Sequence, residues 1–370
     1  MRRSISLAAV VALMGGLLSG LVAAPASAHT WRVSRGESIQ QAINQAQPGD
    51  VIRVAPGIYR ENLTITKNGI TLVGSGATNH ATVHKPGAQR TPTKCVDPEA
   101  PNTTNGICVL GGFTPSGDPT TPVTNVEVRG FRVQGFSGFG VLLLNAHNVS
   151  VTDTVARNNG GYGISGFVLS GVTMGHNVAA HNGEPGFYIG DSPHANARVF
   201  DNIAYRNGVG GPEGLGFLFR DASHGKVWNN RAWGNCVGFV FVDTAEDPVP
   251  TTDWTAVRNV AKRNNGACTG ETNGPPPLSG IGILALGTQQ TTIAHNRVLN
   301  NRPTGKSVAS GGIVLASATP IGGAVPTDNL IAGNTARHNQ PFDIVWDLSG
   351  TNNRFVHNHC GTSRPAWICQ

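Results

Sequence analysis

Apolar and polar positions along this chain recur with a period too long for a single helix or hairpin. From residue 163 onward short runs open on glycine and alternate: Gly163-Ile164, Gly186-Phe187-Tyr188-Ile189, Gly216-Phe217-Leu218-Phe219, Gly238-Phe239-Val240-Phe241, Gly282-Ile283-Leu284-Ala285 and Gly312-Ile313-Val314-Leu315. Phe187, Ile189, Phe217, Phe219, Phe239 and Phe241 keep the period of two expected of strands with one buried face. Between these runs lies a second phrase. Asn177, Asn202, Asn230, Asn259, Asn296, Asn334 and Asn358 each open it, and another asparagine follows five residues later at 182, 207, 235, 264, 301 and 339. Asp153 with Asn158 starts the series. A small apolar residue sits between the two columns (Val155, Ala179, Ala204, Ala232, Ala261, Val298 and Ala336), which predicts one short inward-facing strand per repeat.

The first-column spacings run 24, 25, 28, 29, 37 and 38 before returning to 24. Strands therefore hold register while loops vary, which is how a solenoid behaves. Parallel coils stack at about 4.8 Å, so equivalent asparagines lie above one another and their amides can bond in a file. A buried unpaired amide costs roughly 1 to 3 kcal/mol, so such a file persists only when every member is satisfied. This reading makes the asparagine ladder structural.

A solenoid exposes strand edges at its end, and residues 38–46 are suited to cover one. Ser38 and Gln41 form a capping-box signature, with Ile39, Ala42, Ile43 and Ala46 on one helical face. Pro48-Gly49-Asp50 and Pro56-Gly57 then turn the chain between strand-like runs 51–54, 63–65 and 70–72. Ser38-Ile39-Gln40-Gln41-Ala42-Ile43, Pro48-Gly49-Asp50-Val51-Ile52, Pro56-Gly57-Ile58-Tyr59 and Ile70-Thr71-Leu72-Val73-Gly74 resemble the opening of pectin-lyase-like β-helix proteins. Many extracellular β-helix repeat proteins, and the copper-binding maturation factor of nitrous oxide reductase, share it. The later Asn-x4-Asn coils resemble the same superfamily, so the likeness spans nearly the whole chain after the leader. It implies an all-β, right-handed parallel β-helix with an N-terminal capping helix, on a scaffold that carries lyases, hydrolases, epimerases, adhesins and inert proteins.

Composition agrees: 49 glycines and 13% charged residues disfavour a helical protein. Residues 1–28 read as a signal peptide, with Arg2 and Arg3, an apolar run from Ile5 to Ala24 and the small-x-small site Ala26-Ser27-Ala28. The general secretory route is favoured over the twin-arginine one, whose pattern is incomplete. No later apolar stretch reaches the about 20 residues that span a bilayer. A single secreted domain, 29–370, is expected, with residues 76–124 as a disulfide-bearing insertion of unassigned role. Six cysteines in an oxidising compartment read as disulfides, and sequence proximity suggests Cys95 with Cys108, Cys236 with Cys268 and Cys360 with Cys369, although the six allow other pairings. Without Arg2 and Arg3 the chain keeps 25 basic against 21 acidic residues, an excess too thin to argue for nucleic acid.

Candidate chemistry lies at the sixth position of the glycine-led strands: Asn145, then Asp191, Asp221 and Asp243 on three adjacent coils, then Gly287 and Ser317. Carboxylates stacked at coil spacing should raise one another's pKa or recruit a cation, and calcium accepts such oxygen-rich sets. The three are the expected ligand-binding and calcium residues. Lyases of this fold use a basic residue or a tyrosine to abstract the proton beside a uronate carboxylate, and Arg220 and Tyr188 would fill those catalytic roles. No catalytic motif of a named lyase family maps onto them. Against the site stands a turn reading, because Asp191-Ser192-Pro193-His194, Asp221-Ala222-Ser223-His224 and Asp243-Thr244-Ala245-Glu246 repeat one turn phrase. The outward positions Leu142, Leu218, Val240, Leu284 and Val314 are apolar, which implies covering loops or a partner chain, including a second copy. Loops 208–215, 265–281 and 302–311 precede this sheet, and 244–252 and 317–328 follow it. His176, His295 and His357, with His181 and His338, read as exposed turn residues rather than a copper file. Two functions follow: a secreted protein contacting polysaccharide or a cell-envelope partner through a loop-lined sheet face, or a calcium-assisted lyase on uronate-containing glycan.

Overall fold

A computed structural model of the chain describes residues 28–75, 81–84, 95, 103–246, 250–272 and 274–369. The leader falls outside these residues except for Ala28, as does much of 76–124, although Ile107–Leu110 forms a strand of the main sheet. The described chain winds as a right-handed parallel β-helix with three faces per coil. The first face contains Ile107–Leu110, Phe187–Ser192, Leu215–Ala222, Val237–Val242, Ile281–Leu286 and Gly311–Ala316. The second contains Ala197–Phe200, Gly225–Trp228, Trp254–Val257, Thr292–Ala294 and Leu330–Ala332, and the long strands Val141–Thr152 and Ile164–Gly175 run across both. The third is a sheet of ten short strands from Gly57–Arg60 to Thr335–Arg337.

Alternation packs the interior. Phe187, Phe217 and Phe239 stack at 4.7 and 4.6 Å, and Phe219 and Phe241 at 4.9 Å. Ala179, Ala204, Ala232 and Ala261 line the inner side of the third face and are fully buried. Their small side chains leave room for the aromatic stacks opposite.

Both asparagine files form. In the first, Nδ2 of each residue donates to Oδ1 of the next from Asn177 through Asn202, Asn230, Asn259, Asn296 and Asn334 to Asn358, at 2.9–3.1 Å. The second runs from Asn159 through Asn182, Asn207, Asn235, Asn264 and Asn301 to Asn339, and ends on Asp343 Oδ1 at 3.0 Å. One register detail differs from the sequence reading. Asp153 and Asn158 are not rungs; they occupy the outward turn position before the rung, at φ 50° and 53°, and Thr154 and Asn159 stand in the files. The inward residue of that coil is accordingly Ala156 rather than Val155. The same left-handed turn position holds all five histidines of the repeat, at φ 52–60°.

Each end is closed. The helix Ile39–Gln45 buries Ile39, Ala42 and Ile43, and the Gln40 side chain mimics a missing strand by accepting from Thr64 N (2.7 Å) and donating to Thr64 O (3.1 Å). Ser38 Oγ caps Gln41 N as expected, while the carboxylate that satisfies Ile39 N and Gln40 N comes from Glu61, far along the chain. Lys67 donates to the Asn44 and Ala46 carbonyls at the helix C-terminus. Cys95–Cys108, Cys236–Cys268 and Cys360–Cys369 are the disulfides, as proximity suggested.

Candidate functional site on the first face

Pairing of Gly190 with Arg220 and of Arg220 with Val242 sets Asp191, Asp221 and Asp243 in register on successive coils, with Val168 intervening between Asn145 and Asp191. This column is the corner between the first and second faces. Asn145, Val168, Asp191 and Asp221 adopt φ of 48°, 54°, 50° and 47°, the left-handed region where Asn and Asp are enriched. Asp221 is fully buried and accepts from the Thr244 amide (2.7 Å) and the Thr244 hydroxyl. Asp243, also buried, accepts from Ala245 N at 3.0 Å. Burial pushes the Asp243 carboxyl above its ordinary value, and the Asp221 charge adds to the shift. These carboxylates satisfy turn amides, and no group of three or more His, Cys, Asp or Glu among the described residues is placed to hold a metal. The geometry does not fit the calcium expected from the sequence.

Arg220 and Tyr188 do come together, the guanidinium lying 5.8 Å from the ring centroid. Tyr188 is fully buried and stacks on Tyr162 at 4.9 Å, with Phe167 at 4.7 Å. Its ring folds back over Gly190, where an added Cβ would lie 1.9 Å from the phenol oxygen. Burial raises the Tyr188 phenol well above its ordinary value of 10.0, and the Arg220 charge offsets only part of this. A phenolate base is therefore disfavoured near neutral pH. Arg220 pairs with Glu246 at 3.2 Å. Its own burial acts to lower its pKa, but Tyr188, Glu246 and Asp191 outweigh that and hold the guanidinium charged. Glu213, pushed upward by burial, also feels the Arg220 charge. Tyr162, Glu213 and Glu246 were not singled out from the sequence, since Tyr162 and Glu213 lie in turns before their strands and Glu246 in a repeated turn phrase.

The outward stripe beside this cluster is covered. Leu218, Val240, Leu284 and Val314 are each less than 5% exposed and share one apolar cluster with Cys236, Cys268, Leu278 and Ala309 from the loops. The loops are knitted to one another. Ala267–Cys268 pairs antiparallel with Leu278–Ser279, Thr269 N donates to Gly211 O (3.0 Å), Val308 N to Pro277 O (3.0 Å), and the Cys236–Cys268 disulfide ties the plug to the sheet. Of the two coverings expected from the sequence, loops or a partner chain, it is the protein's own loops that occupy this stretch of the stripe.

The right handed beta helix region family model matches residues 60–213. Among solved structures the chain is similar to the A-module of the Azotobacter vinelandii mannuronan C-5 epimerase AlgE4, with 18% identity, a TM-score of 0.55 and coverage of 86% of this chain and 87% of that one. The A-module of AlgE6 from the same organism matches with 19% identity, a TM-score of 0.52 and coverage of 86% and 88%. No curated protein sequence matches the chain. In architecture the protein is a right-handed parallel β-helix. The family-model match and the two likenesses agree on that fold.

Proposed function

We propose that this is an extracellular β-helix protein that contacts polysaccharide without cleaving it. The observation that carries the second half of this reading is the sealed first face: Tyr188 is buried with its phenol held protonated, and the stripe along which a glycan would lie is filled by loops. Polysaccharide contact is supported by the epimerase modules that share the fold, whose own substrate is a polysaccharide. Three disulfides, and no helix among the described residues long and apolar enough to cross a membrane, suit an extracellular location, where the contact could also be with a cell-envelope component. Retention in affinity gels cast with uronate and neutral polysaccharides, combined with ultraviolet detection of unsaturated product, tests the reading. Retention without product is expected, and failure to be retained by any polysaccharide refutes it.

One observation favours a second reading. Arg220 lies over Tyr188 and within the electrostatic reach of Asp191, beside the covering loops, as a uronate lyase with a hinged cover would require. Unsaturated product from any uronate polymer, rising when Cys236 and Cys268 are both replaced by serine, would establish it over the first.

A further inference from the structure

The third face carries a charge pattern that neither reading above uses. Eight successive strands, from Phe131–Gln134 to Thr335–Arg337, pair in unbroken register. One outward column presents Arg132, Arg231 and Arg297, and the other Arg157, Lys262 and Arg337. Arg206 and Arg263 stand at the corner position that follows, both exposed. Seven of the eight coils thus supply lysine or arginine, and the remaining one supplies His181. No aspartate or glutamate occupies these strands or that corner; Asp153 and Asp201 sit at the opposite corner of the face. The ion pairs of the described residues involve Arg129, Arg220 and His224, none of them here.

Shape accompanies charge. An open concavity of about 990 Å³ runs along the corner, lined by Asn158, His181, Arg206 and Gly234 on four successive coils, with Val209 and Gly211 as its wall. Aromatic stacking is not what this surface offers a ligand. Tyr205 and Trp233 are parallel at 5.1 Å along the helix axis, and Lys262 lies over Trp233, so these ring faces are already occupied. Recognition here is electrostatic and repeats once per coil, at about 4.8 Å. That interval is close to the length of one pyranose in an extended 1,4-linked chain, and a uronan carries one carboxylate per sugar.

We propose that this face and corner bind a linear, carboxylate-bearing polysaccharide lying parallel to the helix axis, with one acidic sugar to each coil. The inference rests on the polysaccharide-contact reading and adds the site and ligand class. Polygalacturonate and mannuronan are the probes, with their carboxyl-reduced forms as neutral controls and single-stranded DNA as a polyanion of different spacing. The variant is Arg206→Asn with Arg263→Asn, because Asn158 and Asn300 already occupy the equivalent position at the same backbone conformation, which protects the fold. Removing Arg198 and Lys226 from the second face is the charge-matched control. Roughly tenfold weaker uronan binding at low salt and a flatter salt dependence are expected for the corner variant, with little change in the control. The carboxyl-reduced polymers should not bind. If the corner variant binds uronan like the native protein, or DNA binds as tightly as uronan, the inference is overturned while polysaccharide contact stands. If no polysaccharide is retained, both fail.

Discussion

Replacing Asn230 by alanine removes one rung from the middle of the first asparagine file. Asn230 Oδ1 accepts from both the backbone amide and Nδ2 of Asn202, each at 2.9 Å, while Asn230 Nδ2 donates to Val199 O (2.9 Å) and Asn259 Oδ1 (3.0 Å). The site is fully buried, so water does not reach the groups left behind. Two donors on Asn202 lose their acceptor, at about 1–3 kcal/mol each, and the void adds to this, giving a loss of about 3–6 kcal/mol. That is a large share of the about 5–15 kcal/mol by which domains are stable. Asn358→Ala provides the comparison, because it orphans the same two groups on Asn334 at the partly hydrated end of the file and should cost only about 1 kcal/mol. Aspartate at 230 would keep the acceptor but turn an oxygen toward Val199 O and Asn259 Oδ1, both acceptors, so its cost should ease in acid. Urea unfolding followed by circular dichroism, with hydrogen exchange to resolve individual coils, measures these differences. Equal losses for Asn230→Ala and Asn358→Ala would refute the claim that the file depends on complete internal satisfaction.

Tyr188→Phe should leave stability within about 1 kcal/mol of native by thermal unfolding, because the buried phenol oxygen makes no hydrogen bond of normal geometry; a loss of several kcal/mol would show that the hydroxyl is paired. Asp243→Asn should stabilise the protein at neutral pH. The carboxyl's pKa is raised on folding, so the native state binds the proton more tightly and stability falls as pH climbs from about 3.8 through the raised value. Unfolding midpoints across that range should therefore flatten in the variant, and an unchanged pH profile would count against the burial argument. Replacing both Cys236 and Cys268 by serine should speed hydrogen exchange at 267–281 while exchange in the third face stays slow, since the disulfide ties the plug and not the coils. Fast exchange throughout would mean that the plug supports the whole solenoid.

Much of the architecture was legible because its determinants are periodic. Alternating phenylalanines and five-spaced asparagines specified the coils, and the one error was a slip of one residue at Asp153 and Asn158. It arose because Asp and Asn are favoured both as rungs and at the left-handed turn position just before a rung. The three aspartates stack as their spacing required, yet their role was set by backbone geometry: a corner at positive φ and the amides of Thr244 and Ala245 claim them. Whether loops wall a cleft or fill it was not legible. That outcome depends on Leu278 and Ala309 reaching a sheet from loops that share none of its periodicity. Glu61 escaped notice for the same reason, since it caps the helix from more than twenty residues away.

The basic face escaped notice for a different reason. A net charge of +6 over 370 residues describes an average, and the successive strands that carry the cations of the third face stand 23 to 38 residues apart in sequence. The ladder brings them onto one face, in two outward columns and the corner beside them. Each rung fixes the height of its coil, so the outward residues beside it inherit a spacing of about 4.8 Å without any contact between them. Arg206 and Arg263 are each immediately followed by a rung asparagine, Asn207 and Asn264. The ladder is then more than a structural device: it gathers a dilute charge onto one face with a fixed repeat along the axis. A sealed first face and an exposed, regularly charged third face argue for a protein that holds a polymer along its length rather than one that closes over a single bond.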